Sequence, residues 1–61
     1  MTTTASISKK ILKGRKSKAL TQSELGVLMS ISPQAVGKWE RGESLPDIHQ
    51  LNKLASIFNV S

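Results

Sequence analysis

The sequence predicts an all-α fold, a compact bundle of four helices with room for the start of a fifth. Three observations carry that expectation. Apolar residues recur three and four apart through most of the chain, the spacing of a helix face rather than of a strand. The later periodic stretches are bracketed by residues that start and stop helices. Finally, 61 residues without a cysteine allow one small domain with no disulfide or thiolate-metal staple, so amphipathic helices must supply its core.

The first six residues, MTTTAS, are expected to form a flexible segment, and the folded domain to occupy residues 7–61. The opening residues lack the apolar stretch of a secretory signal, and no apolar run approaches the roughly 20 residues of a membrane span, so a cytoplasmic protein is expected. A first helix is predicted from Ser6 or Ser8 to about Lys18. Ile7, Ile11 and Arg15 fall on one side of it, within about 80°, while Lys9, Lys13 and Lys16 cluster on the other. Six of the nine Lys and Arg residues lie between Lys9 and Lys18.

The second helix has a complete start signal. Thr21 with Glu24 three residues later is a capping box, in which each side chain bonds an otherwise orphaned amide. Met29 closes this helix, and Ser30-Ile31-Ser32 makes a short turn. Ser32 caps the third helix, and Pro33 sits at its first position, where a missing N–H costs nothing. Gly42 stops that helix in the left-handed conformation. After the loop Glu43-Ser44-Leu45-Pro46 a fourth helix is predicted from Asp47 to Phe58, with Ile48, Leu51, Leu54, Ala55 and Phe58 as its core face and Asn59 as its stop.

The third helix carries the functional expectation. Ala35, Val36 and Trp39 fall together over about 100° of its circumference, an apolar back. Gln34 and Lys38 then project from the opposite face one turn apart, with Gly37 beside them. Trp39 shares the phase of Val36 and is therefore assigned to the core rather than to base stacking. An amide and an ammonium at this spacing suit base edges in a major groove, because glutamine offers adenine a donor and an acceptor and lysine donates to guanine.

Two short helices joined by such a turn form a helix-turn-helix pattern. The residues Leu20-Thr21-Gln22, Glu24-Leu25, Ile31-Ser32 and Lys38-Trp39-Glu40-Arg41-Gly42 resemble the lambda-repressor and Cro-type DNA-binding domains, also called the XRE family, over roughly Ile7 to Ser61. The resemblance implies a bacterial or phage transcription regulator, a repressor or Cro-like protein, that binds double-stranded DNA, as a homodimer on a palindromic operator. Ser32, Pro33, Gln34, Gly37 and Lys38 would lie along the groove. Gln22, at the second helix's N-terminus, would hold a phosphate, and Arg41 and Ser44 would clamp the backbone from the other side. The resemblance also implies an ion pair between Arg15 and Glu40 that fixes the third helix. Family members commonly continue into a fifth helix used for dimerisation, and this chain has only Val60 and Ser61 beyond Asn59.

The chain departs from the family pattern at several positions. Gly14 stands where a larger residue is common, and Gly26 replaces an alanine while still supplying the small residue needed where two helices cross. Ser30 replaces a glycine, so a non-glycine residue is expected to take a positive φ there. Val27 and Leu28 fall where polar residues are usual, so at least one of them should be exposed. A net charge of +5 and an isoelectric point of about 10.1 point to an anionic partner. Catalysis is not expected, since no nucleophile-base pair, phosphate loop or metal-ligand set is apparent. The one histidine, His49, points away from the core face, and no cofactor is implied. The alternatives are the antitoxin of a toxin–antitoxin pair and a protein-interaction module whose basic face meets an acidic partner.

Overall fold

The structure is a computed structural model that describes residues 3–59, with side chains from Ser6 onward. It contains four helices, α1 (Thr3–Ser17), α2 (Gln22–Met29), α3 (Pro33–Arg41) and α4 (Ile48–Phe58), and no strand among the described residues. The start of a fifth helix falls on Val60 and Ser61, outside the described residues.

Helix α1 begins at Thr3, ahead of the predicted Ser6 or Ser8, so much of the segment expected to be flexible is helical. Once Ile7 and Ile11 anchor a helical turn, each residue added in front gains a backbone bond at little further cost. Met1 and Thr2, the rest of that segment, lie outside the described residues. The other end of α1 closes with Ala19 in the left-handed region (φ 56°), the Leu20 N–H reaching the Arg15 carbonyl (3.1 Å) and the Ala19 N–H that of Lys16 (3.0 Å). This two-bond C-terminal cap satisfies carbonyls that the helix leaves open, and it turns Leu20 in against the core.

The same cap ends α2 and α3. Ser30 takes φ 59°, as expected, and the Ile31 N–H bonds the Gly26 carbonyl at 2.9 Å. Gly42 takes φ 76°, and the Glu43 N–H bonds the Lys38 carbonyl at 2.9 Å. Asn59 ends α4 at φ 56°. The start signals also hold: Thr21 Oγ1 accepts from the Glu24 N–H (3.0 Å) and Glu24 Oε1 from the Thr21 N–H (2.8 Å). Asp47 and Gln50 form a second capping box at the head of α4 that sequence reading did not single out.

Ile11, Leu25, Met29, Val36, Trp39 and Leu54 form the buried core, with Ile7, Leu20, Ile31, Ile57 and Phe58 packed around it. Each helix contributes at least one of the six, so removing any helix would open the core. An open apolar groove of about 560 Å³ between α1 and α4, lined by Ile7, Ile11, Leu51, Leu54 and Phe58 among others, explains why Ile7, Leu51 and Phe58 stay half-buried. One member of the predicted α4 face is corrected: Ile48 is 64% exposed, because it stands in the first turn before α4 reaches the core, and Ile57 packs inward at the far end. Both Val27 (78%) and Leu28 (45%) are exposed.

Two of the family departures have a packing cause. At Gly14 an added Cβ would lie 2.6 Å from Cδ2 of Phe58, so the glycine lets the ring close onto α1. At Gly26 it would lie 2.8 Å from the Ile31 carbonyl oxygen and 3.4 Å from the Pro33 nitrogen. The backbone of the turn thus passes directly over α2, and this close approach sets how α3 leaves it.

Candidate nucleic-acid interface

Helix α3 is held by its back. Val36 is 0% and Trp39 4% exposed, Ala35 is half-buried, and Gln34 and Lys38 are both exposed. With the back clamped in the core, α3 cannot rotate without exposing Val36 and Trp39, so Gln34 and Lys38 stay presented to solvent. Its entrance is formed as expected: Ser32 Oγ accepts from the Ala35 N–H (3.2 Å), and Pro33 follows at the first helical position, half-buried.

The expected ion pair forms and is part of a larger network. Arg15 Nε–H donates to Glu40 Oε2 at 2.6 Å and Nη2–H to Oε1 at 3.2 Å, while Nη1–H donates to the Leu20 carbonyl at 2.7 Å. The side chains are 13% and 6% exposed. Burial alone would push the Glu40 carboxyl up, but hydrogen bonds from Arg15 and Gln22 and the charges of Arg15 and Lys16 together hold it below the usual carboxylate range. Arg15 is raised by its hydrogen bond to Glu40, against the opposing effect of burial. The pair links α1 to α3, and the Leu20 contact links both to the approach of α2.

The half-buried side chain of Gln22 donates from Nε2 to Glu40 Oε1 at 3.0 Å, a contact the sequence did not suggest. The buried carboxylate has acceptor capacity left after Arg15, and Gln22, at the first position of α2, is within its reach. One amide hydrogen remains, and the backbone N–H groups of Gln22 and Ser23 stand ahead of the first helical bond, Leu25 N–H to the Thr21 carbonyl (3.0 Å).

Gly37 is corrected as well, since it is buried rather than outward. With no Cβ in the way, the Arg41 side chain folds back one turn over it, its Nη1 lying 2.9 Å and Gln22 Nε2 3.7 Å from where that Cβ would stand. Arg41 itself is exposed but engaged: Nε–H donates to Glu43 Oε2 at 2.7 Å and Nη2–H to Oε1 at 3.4 Å. The hydrogen bond from Arg41, then its charge, holds the Glu43 carboxyl low. This pair was not anticipated, because residues two apart meet only when the chain turns, here at Gly42. Ser44 is exposed in the following loop.

A basic helical domain with a clamped helix presenting an amide and an ammonium beside an exposed arginine defines a helix-turn-helix protein. Comparison with known proteins agrees: the pattern of the helix-turn-helix family matches residues 11–61, and the chain belongs to that family, of the XRE type. At family level this is a DNA-binding fold of transcription regulation, typically without enzymatic activity. Over 56 residues, 92% of its length, the chain is 39% identical to a putative multi-protein-binding factor 1 of Yarrowia lipolytica, covering 37% of that protein. It is 36% identical over 52 residues to an SPbeta prophage-derived uncharacterized HTH-type transcriptional regulator, YonR, of Bacillus subtilis, covering 85% of this chain and 48% of the relative. An endothelial differentiation-related factor 1 of Rattus norvegicus is 35% identical over 51 residues, 84% of this chain and 34% of that one. The chain therefore spans between about a third and a half of these relatives. No solved structure matches at comparable significance. Among the described residues no helix is long and apolar enough to cross a membrane, and no group of His, Cys, Asp and Glu could hold a metal ion.

Proposed function

We propose that this domain binds double-stranded DNA in a sequence-dependent way and regulates transcription in the cytoplasm, as a homodimer on a palindromic operator in the manner of repressors and Cro-like proteins. The observation that carries the reading is the outward pair Gln34 and Lys38 on a helix whose opposite face, Val36 and Trp39, is locked in the core. Gln34 reads adenine through its amide, and Lys38 donates to guanine. Ser32 and Pro33 bring the start of α3 to the groove edge, and Gly37 serves by letting Arg41 lie flat rather than by touching a base. Phosphates are met at the N-terminus of α2, where the backbone amides and the remaining hydrogen of Gln22 converge, and on the other side by Arg41 and Ser44. The prophage regulator among the relatives supports this choice.

The experiment is selection of bound duplexes from a random pool. A recovered consensus with two-fold symmetry supports both base reading and the dimer. Titration of random duplex at two salt concentrations supplies the companion test, since a phosphate-contacting protein loses affinity linearly in log salt. Recovery of no consensus together with a flat salt response would refute the reading. A second reading, a protein-docking module, is favoured by the name of the Yarrowia relative, a multi-protein-binding factor, and by the exposed Val27 and Leu28.

A further inference from the structure

We infer that Glu43 is an internal competitor of DNA phosphate for Arg41, and that it sets how tightly the domain holds duplex of any sequence. The inference rests on the proposal above that Arg41 contacts the DNA backbone.

The four carboxylates of the chain do different work. Glu24 and Asp47 complete capping boxes, and Glu40 holds Arg15 in the buried network. Glu43 supports no helix end and no buried group; its partner is Arg41, with side chains 58% and 52% exposed. A guanidinium offers two paired N–H edges to a planar anion, Nε with Nη2 and Nη1 with Nη2. Glu43 occupies the first, at 2.7 and 3.4 Å. The second lies against the helix, since Nη1 is 2.9 Å from where a Cβ of Gly37 would stand. The edge left accessible to a phosphate is therefore the edge Glu43 already holds.

The carboxylate is delivered by rigid backbone. Gly42 at φ 76° and the bond from the Glu43 N–H to the Lys38 carbonyl (2.9 Å) fix Glu43 at the end of α3. Little chain ordering is needed to form the pair, yet both groups stay wet, so a phosphate can displace the carboxylate. Until that exchange the pair is neutral and Arg41 adds nothing to the attraction of a polyanion. After it, the phosphate lies beside a displaced negative charge. Both effects weaken backbone contact at Arg41; the Glu43 charge also acts on Lys38, as the smallest of the influences on that carboxylate, and has no contact with Gln34.

The test is an anisotropy titration of a labelled random-sequence duplex with the 61-residue chain at several salt concentrations, for the wild type, Glu43→Gln, Arg41→Ala and the double variant. Glu43→Gln should bind about two- to fivefold tighter at low salt, the range an exposed ion pair is worth. Its slope of log affinity against log salt should steepen by up to about one unit. Arg41→Ala should then lose more affinity in the Glu43→Gln background than in the wild type. An additive cycle, in which Glu43→Gln helps equally with and without Arg41, would reduce Glu43 to a general charge effect and overturn the inference alone. A wild type that binds no duplex would refute the proposed function and this inference with it.

Discussion

The buried pair makes the sharpest demand on stability. Glu40→Gln keeps the shape of the side chain but leaves the Arg15 guanidinium, 13% exposed, without its counterion and held only by the Leu20 carbonyl and a neutral amide. Arg15→Met strands a carboxylate that is 6% exposed, with Gln22 as its remaining donor, and also deprives the Leu20 carbonyl of a bond. Each change should destabilise by about 3–5 kcal/mol, the usual cost of uncoupling a buried ion pair, with Arg15→Met the larger. The double substitution should fall short of the sum by about 1–3 kcal/mol. A domain of this size has roughly 3–9 kcal/mol in total, so urea unfolding at low temperature is the appropriate assay. The buried Trp39, the only tryptophan, reports it by fluorescence. Additivity within about 0.5 kcal/mol would mean the two side chains do not hold each other, and the network described here would be refuted.

Acid should expose the same pair. Glu40 is lowered from the ordinary 4.5, so its contribution is full above that value and is lost as pH falls through the lower folded value. The stability gap between wild type and Glu40→Gln should be constant from about pH 7 to 5 and shrink toward pH 3, and urea midpoints at these three values check it. Ala19→Gly and Ser30→Gly each relieve a left-handed residue, worth about 1–2 kcal/mol, against the smaller entropy cost of glycine, so each should raise Tm by about 2–6 °C in a thermal melt. Gly26→Ala should do the opposite despite its better helix propensity. Its Cβ meets the Ile31 carbonyl at 2.8 Å and the turn must shift, at about 1–2 kcal/mol net, readable in the same melt.

The helix ends were legible because capping is local chemistry. Thr21 with Glu24, Ser32 with Pro33, and Gly42 and Asn59 act within a few residues of themselves. The face of α3 was legible because Val36 and Trp39 share one phase. Ala19 was not, since alanine carries no signal for the left-handed region and adopts it here because Leu20 is drawn into the core. Gly14 read as a weak point in α1 until the Phe58 ring appeared beside it, whereas the need for a small residue at Gly26 was legible and the Ile31 carbonyl shows what passes over it. Ile48 has the right phase but too early a position in α4. In the candidate site, the Arg15–Glu40 pair followed from the family resemblance. Gln22 on Glu40 depends on the distance between α2 and α3, and Arg41 on Glu43 depends on the turn at Gly42. Neither distance is written in residue spacing.

Gln34 and Lys38 form the surface proposed to read DNA, and Gln34→Ala isolates that role. Gln34 is exposed and carries no charge, so its loss should shift stability by no more than about 0.5 kcal/mol and leave affinity for random duplex unchanged. On the selected site it should cost about 1–3 kcal/mol, reducing the ratio of specific to random affinity by roughly 5- to 150-fold. The measurement is that ratio, for wild type and Gln34→Ala, at one fixed salt concentration. A ratio unchanged by the substitution would contradict the recognition face assigned to α3 and move the protein-docking reading ahead of it.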